Sequence, residues 1–247
     1  MKLGIITDIH SNIIALNEVL KEFEKIKIDK IICCGDIIGI GPHPEEVVQA
    51  LMKVSDKLIA VKGNHEKYLL EGLLVNVHND KREMSLEEIQ NHKWIHSRIS
   101  EQSKKFLENL PTYKIIEIEN KKIFIIHYPM NKEGKYKEHI KNPTFEENKE
   151  MFSDANADIY VYGHTHVPCI NNRENKCFIN VGSLGCPLQS NIANAGVLEI
   201  KDDKINFKQL AIPYNVDKVI KEIKKLKFPF YEGILKIFYG DRWQKKV

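Results

Sequence analysis

The chain has 247 residues, 43% of them apolar and 29% charged, and its formal net charge is only +3. A chain of this size buries roughly 70–75% of the surface its unfolded form exposes, so its core needs no covalent staples. Its lysines are scattered and it has four arginines (Arg82, Arg98, Arg173 and Arg242), which excludes the basic stripe of a dedicated nucleic-acid surface.

Residues 2–7 read as a short apolar strand without the apolar stretch and cleavage site of a signal peptide. Ser11 is placed to cap a helix whose Ile13, Leu16, Leu20 and Phe23 follow the three–four spacing of one buried face. Residues 30–34 form a second apolar strand, 44–53 a helix with proline in its first turn, and 57–61 a third strand. This order predicts a largely parallel sheet with helices on its faces. From 66 to about 110 the pattern turns helical, with Trp94, Ile95, Ile99, Phe106, Leu107 and Leu110 at helix-like spacing, and reads as a helical insertion beside the sheet. Residues 113–119 and 121–126 predict a hairpin around Asn120, followed by a long polar loop and a helix ending near 155. Strands follow at 158–162, 176–180, 195–200 and 204–211, the last two joined by a turn at 201–203, so this half is partly antiparallel.

A helix at 216–226 precedes an aromatic tail with Phe228, Phe230, Tyr231, Phe238, Tyr239 and Trp243, which docks on the core or contacts a second copy. No apolar run approaches the roughly eighteen residues of a membrane span. Five cysteines (Cys33, Cys34, Cys169, Cys177, Cys186), odd in number and without CxxC spacing, fit reduced thiols in a cytoplasmic protein. With neither repeat nor linker, a single domain over 1–247 with a second sheet layer is expected.

The chemistry is positional. One strand after another ends in a polar cluster: Asp8-Ile9-His10, then Gly35-Asp36-Ile37-Ile38-Gly39, Gly63-Asn64-His65-Glu66, His127, and Gly163-His164-Thr165-His166. In open α/β sheets, sites collect beyond the carboxyl ends of strands, so these clusters should meet. Aspartate, asparagine and histidine together make an oxygen–nitrogen donor set that suits manganese, iron, zinc, cobalt or nickel, and no cysteine joins it. Seven or more such donors are too many for one ion and point to two sharing a carboxylate. Gly35, Gly63 and Gly163, each just before a ligand, should permit sharp exits from the strands.

These motifs, in this order, resemble the calcineurin-like metallophosphoesterase superfamily. The run from Gly35 to Pro44 is similar to its small prokaryotic branch related to diadenosine tetraphosphatases, as is the loop Asn180-Val181-Gly182-Ser183-Leu184-Gly185. The resemblance implies an α/β (α+β) fold, a two-layer β-sandwich core of mixed sheets flanked by helices. It implies two divalent metal ions, manganese first: one held by Asp8, His10, Asp36 and His166, the other by Asp36, Asn64, His127 and His164. A hydroxide between them would attack a small phosphodiester or phosphomonoester, with Asp36 bridging and His65 serving the leaving oxygen. Glu66 would orient His65 through a hydrogen bond. His43, in the loop after Asp36, is a weaker candidate for a substrate contact, and the Asn180–Ser183 loop either touches substrate or turns the chain. His78, His92, His96 and His139 read as surface or helix residues. Two other readings stand beside this one: a non-catalytic binding scaffold of the same fold, and a phosphoprotein phosphatase, which no arginine beside a motif supports.

Overall fold

Strands β1 (Lys2–Ile6), β2 (Lys30–Cys33) and β3 (Leu58–Ala60) pair in parallel, and the chain between them winds into α1 (Ile13–Lys25) and α2 (Pro44–Lys53). The structure is a computed structural model describing residues 1–73, 83–186, 188, 190–202 and 204–240; His78, Arg82, Asp203, Arg242 and Trp243 lie outside the described residues. The cap of α1 is Asn12, not Ser11: its side chain accepts the amide of Ala15 at 3.0 Å. Ser11 is unavailable because its backbone has φ 54°, and its amide donates to the Ile37 carbonyl in the loop after β2 at 3.0 Å.

The segment after β3 holds α3 (Asn64–Glu71), α4 (Leu86–His96) and α5 (Glu101–Glu108). Ser85 and Glu88 cap α4 reciprocally, at 3.2 and 2.8 Å. The expected hairpin follows as β4 (Tyr113–Ile118) and β5 (Lys121–Ile126), its turn made by Glu119 and Asn120 with φ 47° and 62°. Positive φ at both central residues matches the right-handed twist of the flanking strands.

After α6 (Phe145–Met151) come β6 (Ile159–Tyr162), β7 (Cys169–Arg173) and β8 (Lys176–Asn180). Strand β7 is absent from the sequence reading. Its signal was the dipeptide Glu174-Asn175, which repeats Glu119-Asn120 and turns with the same signs, φ 53° and 60°. Finally β9 (Ile192–Lys201), β10 (Lys204–Pro213), α7 (Val216–Leu226) and α8 (Tyr231–Ile234) lead to a π-helical turn at Leu235–Tyr239.

The strands form two sheets, ordered β10-β9-β1-β2-β3 and β4-β5-β6-β8-β7. Each holds three adjacent parallel strands: in the first, β1, β2 and β3 run to one edge and β9 and β10 are added by antiparallel pairing beside β1; in the second, β5, β6 and β8 are flanked by antiparallel β4 and β7. The pair β9–β10 therefore extends the first sheet rather than the second. Alternation along the strands explains the layers. Leu3, Ile5 and Ile32 face Ile123, Ile125, Ile159 and Val161 in a core between the sheets. Ile6, Ile31 and Cys33 face the opposite way, onto α1, α2 and α7, where Phe228, Leu235 and Tyr239 also pack. The described part of the aromatic tail, through Tyr239, thus docks on its own core. Among the described residues no helix is long and apolar enough to cross a membrane.

The five cysteines are free, and only Cys169 is not fully buried. Burial pushes the Cys33 thiol up to about 12 and Cys177 to about 11, and holds Cys34 and Cys186 well above the usual range. Thiolate is the reactive form. Titration with a thiol-specific disulfide reagent is expected to modify Cys169 alone in the native protein, and all five cysteines in denaturant; fast native labelling of Cys33 or Cys34 would contradict this packing.

Candidate metal centre

The clusters do meet. Asp8 and His10 follow β1, Asp36 follows β2, and Asn64 opens α3 just after β3; from the other sheet, His127 follows β5, and His164 and His166 follow β6. Two sheets therefore contribute to one rim, not one sheet edge alone. Two sets of donors form there, and a third grouping, of His10, Asp36 and His65, lies between them. In the first, His10 Nε2 lies 2.9 Å from His166 Nε2, and these nitrogens lie 3.8 and 3.5 Å from Asp8 Oδ1. In the second, His127 Nε2 lies 3.3 Å from Asp36 Oδ2, 3.2 Å from Asn64 Oδ1 and 3.0 Å from His164 Nδ1. Asp36 Oδ2 is also 3.8 Å from His10 Nε2, so one carboxylate oxygen faces both sets.

Local bonding aims three of the donors. The carbonyl of Cys34 accepts the Nδ1–H of His127 at 2.8 Å, and a carbonyl can only accept, so Nε2 is the nitrogen turned to the cluster. Asp8 Oδ2 accepts the Thr7 hydroxyl at 2.8 Å and the His164 amide at 2.9 Å. Asp36 Oδ1 accepts the His65 amide at 3.0 Å, which leaves Oδ2 for the shared position. The backbone bears a cost for this. Asp8, His10, Asp36, His164 and His166 have φ of 51°, 45°, 50°, 75° and 61°. The left-handed region costs an L residue roughly 1–2 kcal/mol, and such strain gathers where function requires it.

The motif glycines divide by role. Gly35, at φ 93°, provides the sharp exit expected of it. Gly63 and Gly163 instead provide room: a Cβ on Gly63 would stand 2.1 Å from Asp36 Oδ1, and one on Gly163 2.0 Å from Thr7 Oγ1. On Gly39 it would stand 2.1 Å from His65 Nδ1, so that glycine seats the imidazole.

Glu66 does not orient His65. Its carboxylate accepts four backbone amides, from Gly63 at 2.7 Å, Asp36 at 2.9 Å, Ile37 at 2.9 Å and Ile38 at 3.1 Å. It is fully buried and ties the Asp36 loop to the start of α3. The Asn180–Ser183 loop is a second brace: Asn180 Nδ2 donates to the Gly163 carbonyl at 2.9 Å, and the Ser183 hydroxyl to the Asp8 carbonyl at 2.8 Å.

Other histidines are redistributed. His43 pairs with Glu222 on α7 and borders a cavity of about 440 Å³ that none of the clustered residues lines. His139 is exposed, as expected, and its Nε2 lies 2.6 Å from Nε2 of His164. His92 is buried and its ring lies 5.1 Å from that of His65, which itself lies 5.0 Å from His10. Lys67 is also buried, its ammonium 5.1 Å over the ring of Tyr136, which packs on His127. No spacing in the sequence marks His139 or His92, because each arrives from an element outside the motif-bearing strands.

Burial by itself would raise the Asp36 carboxyl, but the charges of His127, His65 and His10 outweigh it and hold the group well below the usual range. His127 responds in kind: burial lowers it, Asp36 more than compensates, and it is raised to about 9. A cation is the natural substitute for these protons. Two nitrogens bound to one ion at about 2.1 Å and near right angles stand about 3.0 Å apart. His10–His166 and His127–His164 show that separation, at 2.9 and 3.0 Å. The donors fit divalent metal binding.

A fold of two mixed sheets with this rim defines a metallophosphoesterase, and the sequence agrees. Residues 1–203 match the calcineurin-like phosphoesterase superfamily domain, and the chain belongs to that family. It is 29% identical to the uncharacterized protein MJ0912 of Methanocaldococcus jannaschii, over 94% of this chain and 95% of that one. It is 25% identical to the phosphodiesterase YfcE of Escherichia coli, over 81% and 88% of the two chains. Its fold is similar to that of the protein PH1004 of Pyrococcus horikoshii, with a TM-score of 0.81, 18% identity, and coverage of 97% and 98%.

Replacing Glu66 by Gln halves its accepting oxygens and leaves buried amides unpaired, each at about 1–3 kcal/mol. Glu66→Gln is expected to lower unfolding free energy by about 3 kcal/mol in urea titrations and to weaken metal retention; wild-type stability would refute the brace.

Proposed function

We propose that this protein hydrolyses phosphate esters, phosphodiesters first, at a pair of divalent cations that share Asp36. The observation that carries the reading is the position of Asp36 Oδ2, 3.3 Å from His127 Nε2 in one donor set and 3.8 Å from His10 Nε2 in the other. Asp8, His10, Asp36 and His166 would hold one ion, and Asp36, Asn64, His127 and His164 the second. Bound cations supply an acidified water and positive charge for the phosphate oxygens. Manganese is our first assignment; iron, zinc, cobalt and nickel suit the same donors.

The protein's own groups do the rest. His65 is placed by its amide on Asp36 and its ring against Gly39, beside His10 rather than within the two sets. That is the place for a group that gives a proton, or a hydrogen bond, to the departing oxygen. Glu66 and the Asn180–Ser183 loop keep the carboxylates from drifting as charge builds. The likeness to a phosphodiesterase supports a diester as the preferred substrate. Five free cysteines fit a cytoplasmic setting.

Hydrolysis of bis-p-nitrophenyl phosphate is expected to stop on chelation and return with manganese; turnover indifferent to metal would sink the reading. Asp36→Asn is expected to remove both activity and bound metal. His65→Ala should lower kcat by about 10²–10⁴-fold with metal content unchanged, a split that mass-spectrometric metal analysis beside steady-state kinetics will show. Gly39→Ala, by displacing the same imidazole, is expected to imitate His65→Ala rather than Asp36→Asn.

A further inference from the structure

The ring of His164 has two nitrogens, and the second donor set uses one of them. Nδ1 lies 3.0 Å from His127 Nε2, inside that set, while Nε2, on the far side of the ring, lies 2.6 Å from Nε2 of His139. This outer contact differs from the histidine pairs within the sets. His10 and His166 both stand near Asp8 Oδ1, and His127 stands near Asp36 Oδ2. Among the described residues no aspartate, glutamate or cysteine joins His139 in a group of three donors. The contact is therefore a hydrogen bond between imidazoles. A neutral imidazole carries one proton, and a nitrogen facing a cation must present its lone pair. With Nδ1 of His164 turned to an ion, its proton stands on Nε2, which donates, and His139 Nε2 accepts.

His139 lies between β5 and α6, in neither helix nor strand, and is exposed. Its place is set by Tyr128, the fully buried residue that follows His127. The Tyr128 hydroxyl donates to the Glu138 carbonyl at 3.1 Å and accepts the Ile140 amide at 3.0 Å. Both peptide groups that flank His139 are thus fastened to a single oxygen. The Lys137 amide closes the base of the loop on the Pro129 carbonyl at 2.9 Å. The ring of Tyr128 packs on both imidazoles, 5.6 Å from His139 and 5.1 Å from His164, and Tyr136 lies 5.4 Å from His164. Fixing a loop on either side of a solvent-facing residue costs conformational entropy that the burial of that residue does not return. What the fixing secures is the bond to His164.

We propose that His139 is a positioning residue of the metal centre: its Nε2 accepts the Nε2–H of His164, keeps that proton away from the cluster and aims Nδ1 at the ion, with the Tyr128 hydroxyl setting where His139 stands. This rests on the reading of His164 as a ligand of the second ion, while the positioning itself is seen in metal binding and needs no turnover. The two histidines of that ion are then oriented in the same manner from opposite sides, His127 by the Cys34 carbonyl at 2.8 Å and His164 by His139. Because His139 bonds a donor of the second set, its loss is felt first at that ion.

The test uses the full chain as wild type, His139→Leu, His139→Gln and Tyr128→Phe. Each protein is stripped of metal and titrated with manganese by calorimetry, and hydrolysis of bis-p-nitrophenyl phosphate is measured beside it. Loss of the group that orients a metal-binding histidine typically costs about 10–100-fold in metal affinity. His139→Leu is expected to weaken one of two manganese ions by about that factor and to leave the other within about twofold, with the melting temperature of the metal-free protein unchanged. His139→Gln, whose side-chain oxygen accepts the same N–H, should recover most of the affinity. Tyr128→Phe, which keeps the ring and removes the hydroxyl, should weaken the same ion. Unchanged affinity in His139→Leu, equal loss at both ions, or a Gln variant as weak as the Leu variant overturns the proposal. So does a lowered melting temperature of metal-free His139→Leu, which marks a packing role. Unchanged manganese affinity in His139→Leu beside metal-dependent turnover defeats the positioning alone. Two manganese ions, one dependent on His139, in a protein that hydrolyses no phosphate ester uphold the positioning and defeat the hydrolase reading. A wild type that takes up no second ion defeats both.

Discussion

The two donor sets of this protein are joined through one oxygen atom. Asp36 Oδ2 faces His10 from the first sheet and His127 from the second, at 3.8 and 3.3 Å. Everything around it serves to keep that atom still. Its sister oxygen is occupied by the His65 amide, its loop is drawn tight by four amides on Glu66, and Gly63 leaves room for the carboxylate. A carboxylate in such a place, buried and ringed by imidazoles, is stable only while positive charge is near. Protons on His127 provide it in the bare chain, and divalent cations fit the same position.

The site is built against local preference. Asp8, His10, Asp36, His164 and His166 all adopt the left-handed backbone that L residues avoid. Strain of this order persists only when the surroundings over-determine it. Here the surroundings are the buried strands, whose inner faces interlock as Leu3, Ile5 and Ile32 against Ile123, Ile125 and Val161. Because those strands are buried on both faces, their ends cannot shift without opening a core. The rigidity of the sandwich is thus transmitted to the loops at its rim, and the Asn180–Ser183 loop carries it to Asp8 through a hydroxyl and to Gly163 through an amide.

Much of this was legible beforehand, for a definite reason. Aspartate, asparagine and histidine are side chains that can donate to a divalent cation, and here they recur just after strands, so residue type and strand ends together mark the set. The regular helices and strands were equally plain where apolar periodicity was strong, as in α2 and α7. Where a residue acts through the backbone, reading failed. Glu66 looked like a partner for His65, yet it binds amides of a loop some thirty residues away. Ser11 looked like a cap, but Asn12 caps, because the preceding turn is bent by the cluster. Strand β7 carries no apolar alternation, since it is a half-exposed edge, and only its Glu-Asn turn betrayed it.

By itself the sequence determined the donor types, their order along the chain and the parallel strands that end in them, because these follow from chemistry and from local periodicity. Only the tertiary structure decided that two sheets, not one, supply the rim, that His139 and His92 stand beside it, and that the last two strands extend the first sheet. Each of those facts is a contact between residues far apart in the chain. Such contacts are chosen by how whole faces pack, and a face exists only once the strands and helices that make it have come together.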